Sequence, residues 1–165
     1  MTLANELLAE LDRESFATRR LLERVPADKL EWRPHPKSMT LRDLAWHVAT
    51  IPSRIARIVA AGAYNVADAR PAQAPDVTDF AAELQRSLHE AKEILGRFDD
   101  AAMMETFTLT RGGTVVFSMP RAAGVRTVLL NHSYHHRGQL TVYLRLLDIP
   151  LPATYGSSAD EKPDA

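Results

Sequence analysis

Residues Pro120–Leu147 have the sequence PRAAGVRTVLLNHSYHHRGQLTVYLRLL, in which apolar side chains recur every three or four positions. This period is typical of an amphipathic helix, and Pro120 suits a first helical turn because an N–H there would have no partner. We therefore predict one helix ending near Leu147, roughly 40 Å long at about 1.5 Å per residue, which is enough to cross a small helical bundle. Its predicted inward face contains Val125, Val128 or Leu129, His132, His136, Gln139 or Leu140, Tyr143 and Leu147.

Three earlier segments have the same helical periodicity. Residues 3–24 place leucines on one face and charged residues on the other, which predicts a helix that ends before Pro26. A second helix opens at Thr40, because a threonine followed three residues later by an acid resembles a capping box, and its apolar face extends to Val59. A third helix is predicted over about 78–98.

The remaining segments complete the predicted fold. Residues 62–77 are expected to form a loop, and residues 106–117 predict a short β-hairpin because two β-rich runs flank a Gly-Gly pair. The sequence thus predicts an all-α fold, a bundle of three or four main helices with a small β-hairpin before the last long helix. We assign one domain to residues 1–156 and expect residues 157–165 to be a flexible C-terminal tail.

Composition excludes several classes of function. The chain has 165 residues, of which 45% are hydrophobic, and its net charge of −1 does not indicate the basic surface of a nucleic-acid-binding protein. No apolar run approaches the ~20 residues that span a bilayer, and no signal-peptide pattern is visible, so we expect a cytoplasmic protein that binds no membrane. The absence of cysteine excludes disulfides, thiolate metal ligands and a cysteine nucleophile.

The positions of three histidines suggest a metal site. His132 and His136 are four residues apart on one predicted helix, so both rings project from the same face and could share one divalent ion. His47 lies on the apolar face of a different helix, and three inward-facing histidines would leave positions on the metal open for water or substrate. The alternative is that all three are hydrogen-bonded core histidines. His135 is expected to flank the site, whereas His89 is expected on the surface.

Each of the other polar residues has two possible roles. Asp43, one turn before His47, could orient the His47 ring or act only as the helix-cap acid. Gln139 and Tyr143 continue the face of His132 and could line the pocket or donate hydrogen bonds. Five arginines are most simply solvated, although one or two of them could bind an anionic substrate. They are Arg54, Arg57, Arg121, Arg126 and Arg137. For Arg137, which lies off the face of His132, we expect a structural role or a dimer contact instead.

Three segments carry a resemblance to a known family. Asn131–Gln139, NHSYHHRGQ, resembles the H-x-x-x-H-R-G-Q signature of the DinB/YfiT-like metalloenzymes. Trp32–His47 resembles the loop and second helix of that family, and Pro152–Glu161 resembles its tail. The resemblance implies an up-down-down-up four-helix bundle, commonly a homodimer, with one zinc or nickel ion on His47, His132 and His136. These are the histidines that helical spacing also selects.

The resemblance also implies which kinds of activity to expect. The family includes transferases that join low-molecular-weight thiols to electrophiles, and its name refers to DNA-damage induction, which suggests a bacterial stress response rather than DNA binding. A divalent metal on three neutral imidazoles favours an anion, so the site suits either a thiolate or a hydroxide nucleophile. We expect a metal-dependent transferase acting on a small-molecule thiol. The alternatives are a metal-dependent hydrolase on the same site and a non-catalytic dimeric metal-binding protein.

Overall fold

The protein is mainly helical, as predicted. The computed structural model describes residues 2–69 and 74–162. The helices are α1 (Leu3–Leu22), α2 (Leu41–Ala60), α3 (Phe80–Leu95), α4 (Asp100–Met104), α5 (Arg121–Gly124) and α6 (Asn131–Leu146), and a π-helical segment, Val125–Leu130, joins the last two. Strands β1 (Ala63–Asn65), β2 (Thr106–Arg111) and β3 (Thr114–Pro120) form one sheet. Within the described ranges, no helix has the length and apolar character needed to cross a membrane.

The long helix that carries His47 begins where the capping pattern predicts. The Thr40 hydroxyl oxygen accepts a hydrogen bond from the Asp43 backbone N–H at 3.1 Å, and the hydroxyl donates to the Asp43 carboxylate at 2.7 Å. The first of these bonds satisfies a backbone N–H that the first helical turn leaves without an intrahelical partner, and the second holds the two side chains together. α2 therefore starts at a defined residue, and the side chains that follow have a defined register.

α2 is the most deeply buried of the long helices. It contacts α1, α3 and α6, and apolar side chains on several of its faces, including Leu44, Val48 and Ile51, are at most 2% exposed. Burying such side chains stabilises the fold by about 1.5–3 kcal/mol each. The consequence for function is that a residue on the α6-facing side of α2 is held within a packed core.

The small β element has three strands instead of the two predicted. β2 and β3 form the expected antiparallel hairpin, and Gly112 and Gly113 have φ of +56° and +87°, as a tight two-residue turn requires. β1, which lies within the predicted loop 62–77, pairs in parallel with β2. Three residues are too short to show a period-two pattern, so this strand could not be recognised in the sequence. Residues 70–73 of the predicted loop lie outside the described residues.

The last long helix differs from the prediction in two respects. Pro120 ends β3, so the helix begins at Arg121 and not at Pro120. The six residues Val125–Leu130 are π-helical, and this wider turn shifts the side chains that follow relative to a continuous α-helix. Leu129 and its neighbour Leu130 are both fully buried. The predicted α-helical face included Val128 or Leu129 at this point and did not include Leu130.

The segment after α6 packs against the helices. The Arg20 guanidinium binds the Glu161 carboxylate at 2.5 Å, and Arg145 pairs with Asp160. The Ser158 hydroxyl donates to the Leu151 carbonyl at 2.7 Å. These contacts give the described part of the C-terminal segment defined partners. The division at residue 156 stays a prediction, as does the flexibility of 157–165, of which 163–165 lie outside the described residues.

Candidate metal centre

Three histidines from two long helices meet between α2 and α6. His132 and His136 lie one turn apart on α6, and His47 faces them from α2, with all three rings partly buried. The Nε2 atoms of His47 and His132 are 3.1 Å apart, and the ring centroids of His47 and His136 are 4.3 Å apart. Each ring offers one nitrogen to a set in which all three atoms lie within 4.8 Å of one another. The structure therefore brings together the three residues selected from helical spacing.

A fourth side chain orients one of these rings. The Nδ1 atom of His136 lies 2.7 Å from the amide oxygen of Gln139, which can only accept a hydrogen bond. Nδ1 must then carry the ring proton, and Nε2 keeps a free lone pair. A metal-binding histidine commonly has its second ring nitrogen bonded in this way, which sets the tautomer and the ring plane. The sequence suggested that Gln139 lines the pocket or donates a hydrogen bond, and here its amide oxygen accepts one from the His136 ring.

Burial keeps the cluster uncharged. The pKa of His47 falls to about 3, chiefly through burial and then through the neighbouring His136, His132 and Arg54. The pKa of His132 falls to about 4, again chiefly through burial and then through His136. Burial also lowers the pKa of His136, although its bond to Gln139 opposes the change. Neutral imidazoles are the form that binds metal ions, so the ring nitrogens are available near neutral pH.

The metal-free protein should lose stability as the pH falls from 6.5 to 4.5. Unfolded histidines protonate near their ordinary pKa of 6.5, whereas folded His47 and His132 stay neutral until about pH 3 and 4. The unfolded chain therefore binds more protons across this range, which lowers the free energy of unfolding as acid is added. The measurement is the urea midpoint of chelator-treated protein at a series of pH values.

A matched variant isolates the contribution of these histidines. The double substitution His47→Gln with His132→Gln should make the urea midpoint fall less steeply over the same pH range. Carboxylates contribute mainly at lower pH, since the pKa of Glu10, for example, falls from 4.5 to about 2 through its bond to Arg126. Equal pH slopes in the wild type and the variant would contradict the assignment.

The other predicted site residues are placed differently. The Asp43 carboxylate accepts a hydrogen bond from the Thr40 hydroxyl at 2.7 Å, as a helix-cap acid does, and a second one from the Ala74 backbone N–H at 3.4 Å. The Tyr143 hydroxyl donates to the Met39 carbonyl at 3.2 Å, and its ring packs edge-on against Trp32. His135 is exposed on α6, with its ring centroid 4.8 Å from that of His136, which places it beside the cluster.

One residue at the cluster was not assigned to it from the sequence. An Arg54 guanidinium nitrogen lies 3.3 Å from Nδ1 of His47. Arg54 follows His47 by seven residues, which is two helical turns, so the signal that places both on one face of α2 was present in the sequence. It was not decisive, because an arginine on an amphipathic helix is most often solvated.

The donor set fits a divalent metal ion. Imidazole nitrogens are common ligands of zinc and nickel, and three of them leave further coordination positions available. The three nitrogens converge, their rings are neutral, and Gln139 holds one ring by its second nitrogen. His47, His132 and His136 would therefore be the protein ligands of such an ion.

The fold and the site define a class of mainly helical proteins in which a three-histidine cluster joins two long helices. The DinB family model matches residues 1–164, and the chain belongs to the DinB family. The family resemblance drawn from the sequence is thereby confirmed. A Bacillus subtilis (strain 168) relative named Uncharacterized protein YrdA is 25% identical over 148 residues, which cover 90% of this chain and 85% of that protein.

Two crystal structures of DinB-like proteins have a similar fold. The first, YjoA from Bacillus subtilis, aligns with a TM-score of 0.68 and 19% identity over 88% of this chain and 96% of that chain. The second, from Bacillus cereus ATCC 10987, aligns with a TM-score of 0.66 and 22% identity over 90% of this chain and 95% of that chain. At these identities the likeness is one of fold.

Proposed function

We propose that this protein is a metal-dependent transferase that joins the sulfur of a low-molecular-weight thiol to a small electrophile. Zinc or nickel would be held by His47, His132 and His136. The observation that carries the proposal is the convergence of three neutral ring nitrogens within 4.8 Å of one another. The up-down-down-up order of the long helices, which the DinB resemblance implies, belongs to the same proposal.

The chain supplies a neutral, oriented ligand set and no thiol of its own. A divalent cation on uncharged ligands favours the thiolate form of a bound thiol, because no protein ligand offsets its charge. Burial keeps His47 and His132 neutral, and Gln139 fixes the ring of His136. Since the chain lacks cysteine, the sulfur must come from the substrate. In the transfer, the thiol proton passes to solvent, a carbon–sulfur bond forms, and the leaving group departs with its bonding electron pair.

The remaining parts of the proposal concern partners and location. We infer a cytoplasmic homodimer that acts on a small-molecule substrate and binds neither nucleic acid nor membrane. A net charge of −1 supports the absence of nucleic-acid binding. Val142 and Leu146, one turn apart on α6, are each 58% exposed, which supports burial of this face against a second copy. The family name supports a role in a stress response.

The first experiment measures metal content and then turnover. Tag-free protein, purified without added metal or chelator, is assayed by elemental mass spectrometry and should contain about one zinc or nickel ion per chain. The loaded protein is then mixed with 2-mercaptoethanol and 1-chloro-2,4-dinitrobenzene, and the thioether is quantified. Because the chain has no cysteine, every thiol consumed belongs to the small molecule. The loaded protein should form thioether faster than chelator-treated protein does.

Other outcomes would favour the rival functions. Hydrolysis of p-nitrophenyl acetate that depends on the metal and not on the thiol would replace the transferase with a hydrolase. Bound metal without either reaction would favour a non-catalytic metal-binding protein. Sedimentation at micromolar concentration tests the dimer separately, because a mass near the 18.4 kDa of one chain would contradict it.

A further inference from the structure

Arg54 differs from the other arginines that the sequence singled out. Arg57 pairs with Glu90, Arg121 with Glu105, Arg126 with Glu10 and Arg137 with Glu14. Arg54 is partly buried on α2, and within residues 2–69 and 74–162 the ion pairs of the structure do not include it. A guanidinium nitrogen of Arg54 lies 3.3 Å from Nδ1 of His47. Among the residues that the structure describes, Arg54 is therefore a cation without an acidic partner beside the three-histidine cluster.

This contact cannot persist when His47 binds a metal ion through Nε2. A guanidinium only donates hydrogen bonds, so its bond to Nδ1 requires a lone pair there and a proton on Nε2. Nε2 is the atom that faces His132, at 3.1 Å, and it needs its own lone pair to bind a metal. Metal binding would move the ring proton to Nδ1 and release the guanidinium. Arg54 would then have all its donors free at the edge of the site.

The charge of the loaded site also favours an anion at this position. The three rings are neutral, so a divalent ion and Arg54 would together present positive charge, and no carboxylate of the described residues pairs with Arg54. A partly buried cation is unfavourable without a partner, and a carboxylate matches the two parallel donors of a guanidinium.

We propose that Arg54 binds a carboxylate of the substrate, so that the small molecule taken by this site carries both a thiol and a carboxylate. The inference rests on the proposed function, since it specifies the substrate class of the same site. Arg54 is a specificity-determining residue in this scheme. A neutral thiol would reach the metal without this contact and should bind more weakly for that reason alone.

The test compares three small ligands on cobalt-loaded protein. Mercaptoacetate has the thiol and the carboxylate, 2-mercaptoethanol has only the thiol, and glycolate replaces the thiol of mercaptoacetate with a hydroxyl. Calorimetry measures affinity, and the near-ultraviolet sulfur-to-cobalt absorption reports whether sulfur is bound to the metal. Arg54→Gln should lower the affinity for mercaptoacetate about tenfold or more and change the affinity for 2-mercaptoethanol by less than about twofold. Arg57→Gln, three residues away and paired with Glu90, is the matched control and should change neither.

The possible outcomes distinguish the role of Arg54 from the proposed transferase activity. If Arg54→Gln lowers the affinity for both thiols to the same degree, or lowers neither, the role of Arg54 is overturned. The proposed transferase activity is not affected by that result. If glycolate and mercaptoacetate both bind in an Arg54-dependent way but the sulfur-to-cobalt band is absent, the carboxylate contact is supported. The same result would overturn the thiol transferase. If none of the three ligands binds, both proposals fail. Elemental analysis of Arg54→Gln should show unchanged metal content, which separates a lost contact from a damaged site.

Discussion

His132→Ala should reduce zinc binding from about one ion per chain to none at micromolar concentrations. The substitution removes one of three converging nitrogens, and the two that remain, on His47 and His136, come from different helices. Apparent free energies of ~10–16 kcal/mol for structural zinc on four ligands correspond to several kcal/mol for each ligand, so we expect affinity to fall about a thousandfold or more. Competition against a chromophoric chelator measures the change.

Two further variants give this experiment a graded scale. Gln139→Leu keeps all three ligands and deletes the bond that orients His136, so it should cost about 10–100-fold in zinc affinity. His89→Ala should change nothing, because His89 is exposed on α3 and lies 3.6 Å from Glu93 of the same helix. Equal metal content in His132→Ala and His89→Ala would remove the ligand assignment.

Arg137→Met should destabilise the protein by about 3 kcal/mol, the lower end of the range for breaking a buried ion pair. Arg137 is 4% exposed, and its guanidinium lies 2.8 Å from the Glu14 carboxylate. It also donates to the Glu14 carbonyl at 3.0 Å and to the Tyr155 hydroxyl. Methionine fills the space of the stem but leaves Glu14 without its cation. In a chain of this size the melting temperature should fall by about 6–12 °C.

A double variant separates charge from packing at this position. Glu14→Gln combined with Arg137→Met removes both charges, so it should recover much of the stability that the single substitution loses. The cost should be non-additive because the two side chains are in direct contact. If the double variant were less stable than Arg137→Met by the full cost of Glu14→Gln alone, the pair would not be coupled and the prediction would be wrong.

Helical spacing allowed the main features of the site to be predicted. The stripe that contains His132 and His136 and the stripe that contains His47 belong to long helices, where a period of 3.6 residues indicates which side chains share a face. The structure brings these three together, and Gln139 lies one turn further along on the same side of α6. The local sequence pattern was therefore sufficient to predict which residues lie together on one face of a single helix.

Features that depend on distant partners could not be predicted in this way. β1 is defined by its pairing with β2, more than forty residues away, and not by any pattern of its own. The π-helical segment Val125–Leu130 has ordinary helix-compatible residues, so no residue of the segment marks the wider turn in the sequence. Arg57 has an acidic partner because α3 places Glu90 beside it, and the local sequence around Arg54 and Arg57 does not show which of the two will have one.

The contacts of Arg137 have a consequence for the angle at which α6 presents its ligands. Arg137 follows His136 directly, and it ties α6 to Glu14 of α1 and to Tyr155 of the C-terminal segment. A ring at the helix surface lies roughly 6 Å from the helix axis, so a rotation of α6 by about 10° would move it by about 1 Å. Misplacement of that size is enough to impair a binding site. The contacts of Arg137 with α1 and with the C-terminal segment thus restrict rotation of α6 about its own axis, and with it the direction in which His132 and His136 face His47.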